Sequence, residues 1–186
     1  MHLAASNPDI QIIQHLHTVG AKLNVYDFEH RNPLHYAVYS NSLEMFQYLI
    51  RQGFNPNVKD KYGHNLLYYA VRNPHREVFT TVLSYGIDIN LRADDETVLD
   101  EACKFGTIEV VAFLIDQGVD IIKYLKATAD IRGYNEENFR YLLENCIKQG
   151  IDLEEYIGNK TFYGSWGLAE VFCELGLKTC INRIGH

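Results

Sequence analysis

The stretch RNPLHYAV, residues 31–38, decides the fold, because variants of it recur along the chain at a nearly fixed distance. LLYYAV occupies residues 66–71, VLDEAC occupies 98–103, and the chain opens with HLAA at 2–5. These motifs share an alanine that recurs in steps of about 33 residues, as Ala4, Ala37, Ala70 and Ala102. A constant period of this length is the signature of a repeat protein.

A glycine followed by a short turn keeps the same period. It occurs as Gly20, Gly53, Gly86, Gly118 and Gly150. Glycine readily adopts the left-handed backbone conformation that ends many helices, so these positions predict helix C-termini. Since the two landmarks stay in step over most of the chain, the sequence predicts an array of repeats.

Each repeat has the pattern of two helices joined by a short turn. Pro33 suits the first turn of the first helix, where its missing N–H is not needed. The second helix carries apolar residues at helical spacing, such as Leu43, Phe46 and Leu49. A polar stretch such as NVKDKYGHN, residues 57–65, then leads into the next repeat and predicts a tight turn, which we call a finger.

The stretches NPLHYAV, LEMFQYLIRQGFNPNVKD and YGHNLLYYAV together resemble the ankyrin repeat, a helix–turn–helix unit with the same period. This resemblance implies an all-α ankyrin-repeat solenoid of helix–turn–helix units, with short β-hairpin or loop fingers and a divergent helical C-terminal cap. The resemblance is good up to about residue 122 and poor over residues 158–186. The motif histidine is present as His2 and His35 and is replaced by Tyr68 and then by Asp100.

The repeat register divides the chain into a partial first repeat at 1–27, ankyrin repeats at 28–60, 61–93 and 94–122, a divergent repeat at 123–157 and a helical C-terminal capping element at 158–186. The finger of the 94–122 repeat is shortened, since RADDET lacks the tip glycine, and we expect its hairpin to be distorted. The chain opens in mid-repeat, with His2 already at the motif position. Because solenoid ends normally carry a polar cap, we expect a fragment of a longer protein.

One set of residues is expected to hold the repeats together: His2, Pro33, Leu34, His35, Ala37, Gly53, Ala70, Gly86, Ala102 and Gly118. Its two histidines could be read as metal ligands. Equivalent atoms of neighbouring repeats lie about 10 Å apart, the distance between packed helices, whereas zinc–nitrogen bonds are about 2 Å long. We therefore expect each histidine to pin the start of its own helix to a neighbouring loop through both ring nitrogens.

Composition and motifs argue against several classes of protein. The 24 acidic residues outnumber the 17 basic ones, which argues against nucleic acid as the main partner. No run of about 18 apolar residues occurs, so no membrane insertion is expected. The four cysteines lack the Cys-x-x-Cys spacing of zinc sites, and neither a phosphate loop nor a serine nucleophile motif occurs. We therefore expect no catalytic residue, metal or cofactor, and free thiols in a reducing compartment.

Solenoids of this type resemble a curved hand, with fingers and first helices lining a concave surface. The register places aromatic and basic residues there, the types that dominate binding energy at interfaces. The predicted partner-binding residues are Phe28, Glu29, Arg31, Tyr39, Ser40, Lys61, Tyr62, His64, Arg72, Asn73, Glu96, Lys104 and Phe105. The sequence thus predicts a monomeric, intracellular and cytoplasmic protein–protein interaction module that binds another protein or an acidic or amphipathic peptide.

Two other interpretations stay open. The chain could be the recognition arm of a larger enzyme, or of a secreted effector that acts in a host cytoplasm, whose catalytic domain lies outside it. A hydrolytic activity in residues 123–186 would instead require a pocket that holds Cys173 or Cys180 within hydrogen-bonding reach of a histidine.

Overall fold

The computed structural model describes residues 1–72, 76–94, 96–127, 135–157, 162–163, 166–177 and 184–185. Its chain divides into two units, Met1–Asp94 and Asp95–His186. Helices make up most of both units, and the described strands are short. No described helix is both long and apolar enough to cross a membrane.

The described residues of the first unit, 1–72 and 76–94, form three helix pairs and one short strand. The pairs are α1 (His2–Ala5) with α2 (Ile10–Thr18), α3 (Pro33–Tyr39) with α4 (Leu43–Arg51), and α5 (Leu66–Ala70) with α6 (Arg76–Ser84), followed by β1 (Arg92–Ala93). Each first helix packs against its own second helix, and also against the first helix of the next pair, α1 on α3 and α3 on α5. The predicted helix–turn–helix repeat is therefore present in this unit.

Two of the first helices, α3 and α5, begin at side-chain caps that are one repeat period apart. The side-chain oxygens of Asn32 and Asn65 each accept a hydrogen bond, 3.0 Å long, from the backbone N–H of the second residue after the asparagine. These bonds satisfy N–H groups that a helix leaves unpaired at its start. The second helices of the pairs end at glycines with positive φ, for example Gly53 at 86° and Gly86 at 72°, as the glycine period predicts.

The motif histidine completes the cap, and an aspartate can replace it. His35 Nδ1 accepts a 3.1 Å hydrogen bond from the backbone N–H of Asn32. In the later repeat the carboxylate of Asp100 accepts a 2.7 Å bond from the backbone N–H of Thr97. Both arrangements are capping boxes, in which the first residue of the box and its partner one turn later satisfy each other's backbone groups. The change from histidine to aspartate in the sequence therefore keeps the capping function.

The core of the first unit lies between the first and second helices. The motif alanines face it, and Ala37 and Ala70 are 0% and 1% exposed. Around them lie buried apolar side chains, among them Leu34, Met45, Phe46, Leu49, Leu66, Leu67, Val78, Phe79 and Val82. A small side chain at the alanine position permits the first helices of neighbouring repeats to pack closely.

The second unit begins with a repeat-like helix pair and continues with helices of different length. Its elements are β2 (Glu96–Thr97), α7 (Val98–Phe105), α8 (Ile108–Asp116), α9 (Ile121–Ala127), α10 (Glu136–Lys148), α11 (Leu153–Ile157), β3 (Phe162–Tyr163), α12 (Trp166–Glu174) and β4 (Ile184–Gly185). Helix α10 packs against α7, α8 and α12, while α9 packs against α11. Strands β3 and β4 pair in parallel.

Helix α10 also closes the C-terminal end of α7. The buried amide of Asn138 donates to the backbone carbonyls of Ala102 and Gly106, at 3.2 and 2.8 Å. The backbone N–H of Asn135 donates to the carbonyl of Cys103 at 2.9 Å. Because carbonyls at a helix end have no partner within the helix, these bonds fix α10 against α7.

Replacing Ala70 by leucine should destabilise the first unit. The added side chain cannot fit between closely packed first helices, and we expect the free energy of unfolding to fall by about 1–3 kcal/mol. Thermal unfolding followed by circular dichroism measures the change. Gln47→Leu, which adds the same side chain at an exposed helical position, is the control and should leave the melting temperature nearly unchanged. Equal melting temperatures for Ala70→Leu and the wild type would disprove the repeat register.

Candidate functional site

A carboxylate lies at the centre of the first finger, the turn that precedes α3. Asp27 Oδ1 accepts hydrogen bonds from the backbone N–H groups of Glu29 and Arg31, at 2.8 and 2.9 Å. Its Oδ2 accepts from Arg31 Nε at 2.8 Å and from the Tyr36 hydroxyl at 2.6 Å. Since Tyr36 lies on α3, the carboxylate joins the finger to the first helix of its repeat.

The same arrangement recurs in the next finger. Asp60 Oδ1 accepts from the backbone N–H groups of Tyr62 and His64 at 2.8 and 2.9 Å. Its Oδ2 lies 3.0 Å from His64 Nδ1 and accepts from the Tyr69 hydroxyl at 2.7 Å. Every member of this set lies one repeat period after its counterpart in the first. We call the two arrangements the finger hubs, centred on Asp27 and Asp60.

Both hub carboxylates are ionised at neutral pH. Burial alone would raise the pKa of Asp27, but hydrogen bonds from Tyr36, Arg31 and Glu29 lower it well below its ordinary value. Burial opposes ionisation of Asp60 in the same way, and its bonds from Tyr69 and His64 likewise lower its pKa. An ionised carboxylate only accepts hydrogen bonds, so in the 3.0 Å contact His64 Nδ1–H is the donor and Asp60 Oδ2 the acceptor.

The backbone of the two fingers is equally regular. In each finger the backbone N–H of the hub aspartate donates to the carbonyl four residues later, and the aspartate carbonyl accepts from the N–H three residues later. The residue three positions after the aspartate has a left-handed backbone conformation. That residue is Gly63 in the second finger, with φ 86°, and His30 in the first, with φ 56°. A left-handed conformation costs a non-glycine residue about 1–2 kcal/mol, so other interactions hold the first finger in this shape. The Asp27 hub supplies them.

Six of the predicted partner-binding residues lie together on these two fingers, and we call them the finger surface: Phe28, Glu29, Arg31, Lys61, Tyr62 and His64. The fingers meet where the backbone N–H of Lys61 donates to the carbonyl of Glu29 at 2.9 Å. Phe28 is 99% exposed and Tyr62 is 42% exposed. Two aromatic side chains are therefore exposed to solvent on a backbone that the hub hydrogen bonds hold in place.

Arg31 also stabilises its own finger, which its position in the sequence alone does not show. Its Nε contacts Asp27 and its Nη1 lies 2.8 Å from Glu29 Oε2. Its guanidinium also packs over the Tyr36 ring, at 5.2 Å from the ring centroid. The side chain is 30% exposed. The positive charge of Arg31 is thus already engaged by two carboxylates of its own finger.

A column of cationic and aromatic groups runs along the second finger. Lys61 Nζ lies 4.7 Å from the centroid of the Tyr62 ring. The His64 ring lies between Tyr62 and Tyr68, with ring centroids 5.8 and 4.4 Å apart. Since Tyr68 is buried on α5, the column connects an exposed fingertip to the first helix.

The other predicted partner-binding residues belong to other elements of the two units. Tyr39 and Ser40, at the end of α3, and Arg72, after α5, are exposed in the first unit, whereas Asn73 falls outside the described residues. In the second unit Phe105 is 54% exposed. Lys104 forms an ion pair with Glu96 there and is only 17% exposed.

The hub tyrosines are the functional residues that the sequence analysis missed. Tyr36 and Tyr69 lie one repeat period apart, which is visible in the sequence, but nothing there shows that their hydroxyls reach the finger aspartates. The set does not continue into the third finger. Counted from the repeat glycine, Ala93 takes the position of Asp60, and counted from the helix cap, Glu101 takes the position of Tyr69. The third finger therefore lacks both groups that a hub requires.

Among the described residues, neither motif histidine makes the predicted hydrogen bonds through both ring nitrogens. His2 Nε2 lies 3.2 Å from the carbonyl oxygen of Val25. His35 is 1% exposed, and its Nε2 has no hydrogen-bond partner among the described residues, so the predicted bond to a neighbouring loop is missing there. The Tyr69 ring packs edge-on against it at 5.2 Å. Burial lowers the pKa of His35 to about 4, and the ring is neutral at neutral pH.

The described residues contain no group of three or more His, Cys, Asp or Glu side chains that could hold a metal ion. Burial raises the pKa of the Cys103 thiol, and it raises that of Cys146 to about 11. Both thiols are therefore protonated and weakly reactive at neutral pH. Cys180, named in the hydrolase interpretation, falls outside the described residues.

Comparison with known proteins adds one finding. The family model for ankyrin repeats matches residues 1–93 with three copies. No curated protein matches the chain. The matched residues cover the three helix pairs and both finger hubs.

Removing the charge of Asp60 should weaken the second finger. Asp60→Asn leaves one oxygen where the hub needs four accepted bonds, so we expect the free energy of unfolding to fall by about 2 kcal/mol at neutral pH. Because the folded protein lowers the pKa of Asp60, the wild-type advantage should shrink as the pH falls below about 4. Urea unfolding measures both effects. Asp88→Asn, at an exposed carboxylate, is the control, and an equal loss in both variants would contradict the hub.

The buried His35 should make stability depend on pH in a defined window. The pKa of His35 is about 4 in the folded protein, against an ordinary value of 6.5, so between those pH values only the unfolded chain binds this proton. Stability is therefore lost as the pH falls through this window, by about 3 kcal/mol. His35→Gln removes that contribution, and the difference between wild type and variant should narrow from about pH 7 to about pH 4.5. Parallel curves of unfolding free energy against pH would contradict the burial of a neutral His35.

Proposed function

The chain belongs to the ankyrin repeat family, and on that premise we propose that it binds a protein partner through the finger surface of its first unit. Ankyrin repeats are in general protein–protein interaction modules without catalytic activity, and they bind through extended surfaces that run across several repeats. The proposed contact residues are those of the finger surface, on which Phe28 and Tyr62 are the exposed aromatic side chains.

The observation that carries this proposal is the exposure of Phe28. A phenylalanine that is 99% exposed on a held finger contributes nothing to the core of this chain. Single exposed apolar residues are common on protein surfaces. Phe28 differs because Tyr62 on the next finger is also exposed, and because aromatic residues are enriched at protein–protein interfaces.

The finger hubs support the proposal on energetic grounds. Binding costs free energy when loops and side chains must first be ordered. The carboxylates of Asp27 and Asp60 each accept four hydrogen bonds from their own repeat, which orders the fingers before any partner arrives. The free-energy cost of ordering the fingers on binding is therefore smaller than it would be for flexible loops.

We also propose that the protein works in a reducing compartment inside a cell. Cys103 and Cys146 are buried free thiols in the second unit, and Cys173 is an exposed free thiol. Proteins of oxidising compartments commonly use their cysteines in disulfides, whereas cytosolic proteins keep them reduced.

Selection from a phage-displayed library of random peptides tests the finger surface and does not require the partner to be identified first. We expect the full chain to enrich peptides whose affinity falls at least tenfold in Phe28→Ala and in Tyr62→Ala, because each substitution removes an aromatic anchor. Fluorescence anisotropy with labelled synthetic copies of the enriched peptides measures the affinities.

Tyr85→Ala is the matched control, since Tyr85 is exposed to nearly the same extent as Tyr62, 39% against 42%, but lies outside the fingers. Melting temperatures show whether each variant remains folded. Peptides that bind Phe28→Ala and Tyr62→Ala as tightly as the wild type, or that lose affinity only in Tyr85→Ala, would place the binding site elsewhere.

A further inference from the structure

We propose that the segment bound at the finger surface carries a carboxylate close to an apolar side chain, with Lys61 recognising the carboxylate and Phe28 contacting the apolar group. This inference rests on the proposed function and adds the chemistry of the partner. It follows from the charges on the two fingers, from the aromatic contact of Lys61, and from the spacing of the fingertips.

The charges of the first finger are balanced internally. Arg31 contacts both Asp27 and Glu29, and the Asp27 carboxylate accepts all its bonds from its own repeat. In the second finger the Asp60 carboxylate is likewise fully engaged by its own hub. The charges of Arg31, Asp27 and Asp60 are therefore already paired or hydrogen-bonded within the chain.

Lys61 is different, because its ammonium group has unused donors. The nearest carboxylate oxygen among the described residues, Glu29 Oε1, lies 3.9 Å away, which is too far for a hydrogen bond. Glu29 is already engaged by Arg31 at 2.8 Å. An ammonium has three donors, and the Lys61 side chain is 38% exposed. A carboxylate brought by a partner can therefore bind here without displacing a bond of the chain.

Tyr62 prepares Lys61 for this contact. The ammonium nitrogen lies 4.7 Å from the Tyr62 ring centroid, an arrangement in which the ring face attracts the cation. A side-chain hydrogen bond with Tyr62, which uses one of the three ammonium donors, raises the pKa of Lys61, and the group is charged at neutral pH. The ring in turn packs against His64 in the column that leads to α5. Lys61 is thus presented by a supported aromatic side chain.

The spacing of the fingertips sets the spacing within the ligand. Phe28 and Lys61 each follow a hub aspartate directly, so they hold the same position in consecutive fingers. Neighbouring repeats are about 10 Å apart, the distance between packed helices. An extended peptide covers that distance in about three residues. The expected pattern is therefore an apolar residue separated from an aspartate or glutamate by about two residues.

A peptide fits this surface better than a nucleic acid does. A phosphate could also pair with Lys61, but the carboxylates of Glu29 and of both hubs lie on the same two fingers and repel a polyanion. The net charge of the chain, −7, acts in the same direction. One carboxylate beside an apolar group uses the available cation and avoids this repulsion.

The probe is a pair of labelled synthetic peptides: the tightest peptide enriched in the phage selection, and its copy with each Asp or Glu replaced by Asn or Gln. The full chain should bind the amide copy at least tenfold more weakly than the acidic peptide. Lys61→Met should lose the same factor for the acidic peptide and little for the amide copy, since each change removes the same contact. Lys61→Arg should restore binding, and added salt should weaken only the acidic peptide.

Lys59→Met is the matched control, because it removes an exposed lysine from the same finger, and it should bind both peptides like the wild type. Enriched peptides that depend on Phe28 but bind Lys61→Met as tightly as the wild type, or that carry no acidic residue, would overturn this inference and leave the proposed function intact. A selection that enriches no peptide dependent on Phe28 would overturn both.

Discussion

Four hydrogen bonds to one ionised carboxylate occur in each of two consecutive fingers and organise both of them. Asp27 and Asp60 are both largely buried, and burial alone would make their negative charges unfavourable. Donors from the turn and a tyrosine hydroxyl from the first helix compensate for that cost. Each finger is then joined to the packed layer of helices, and its backbone shape no longer depends on the residues at its tip.

This division of labour explains which residues are available to a partner. The buried donors and acceptors of each hub serve the chain itself, and Arg31 belongs to this group even though its side chain is partly exposed. Phe28, Lys61 and Tyr62 are exposed to solvent and their side chains are not part of either hub. A partner bound at the proposed finger surface would contact a small set of aromatic and cationic groups on a backbone that needs little rearrangement.

The parts of this structure that follow from periodicity could be predicted from the sequence. The helix pairs, their caps at Asn32 and Asn65 and their glycine ends recur with the repeat period, and each depends on contacts between near neighbours in the chain. The hubs could be predicted only in part, because the bond from Tyr69 to Asp60 depends on the three-dimensional course of the finger. The bond from Asn138 to the end of α7 joins distant parts of the chain and has no repeat that would reveal it.

His30 shows what a hub permits. A histidine occupies a left-handed position there, where the next finger has glycine, and the turn keeps the same backbone bonds. The residue after the hub aspartate also differs, Phe28 in the first finger and Lys61 in the second, although both turns keep the same backbone bonds. Because the hub bonds do not use the side chains of Phe28 or Lys61, we expect substitutions at these two positions to affect folding little. Such a scaffold can acquire new specificities by drift at a few surface positions, which makes it a good starting point for engineering as well as for evolution.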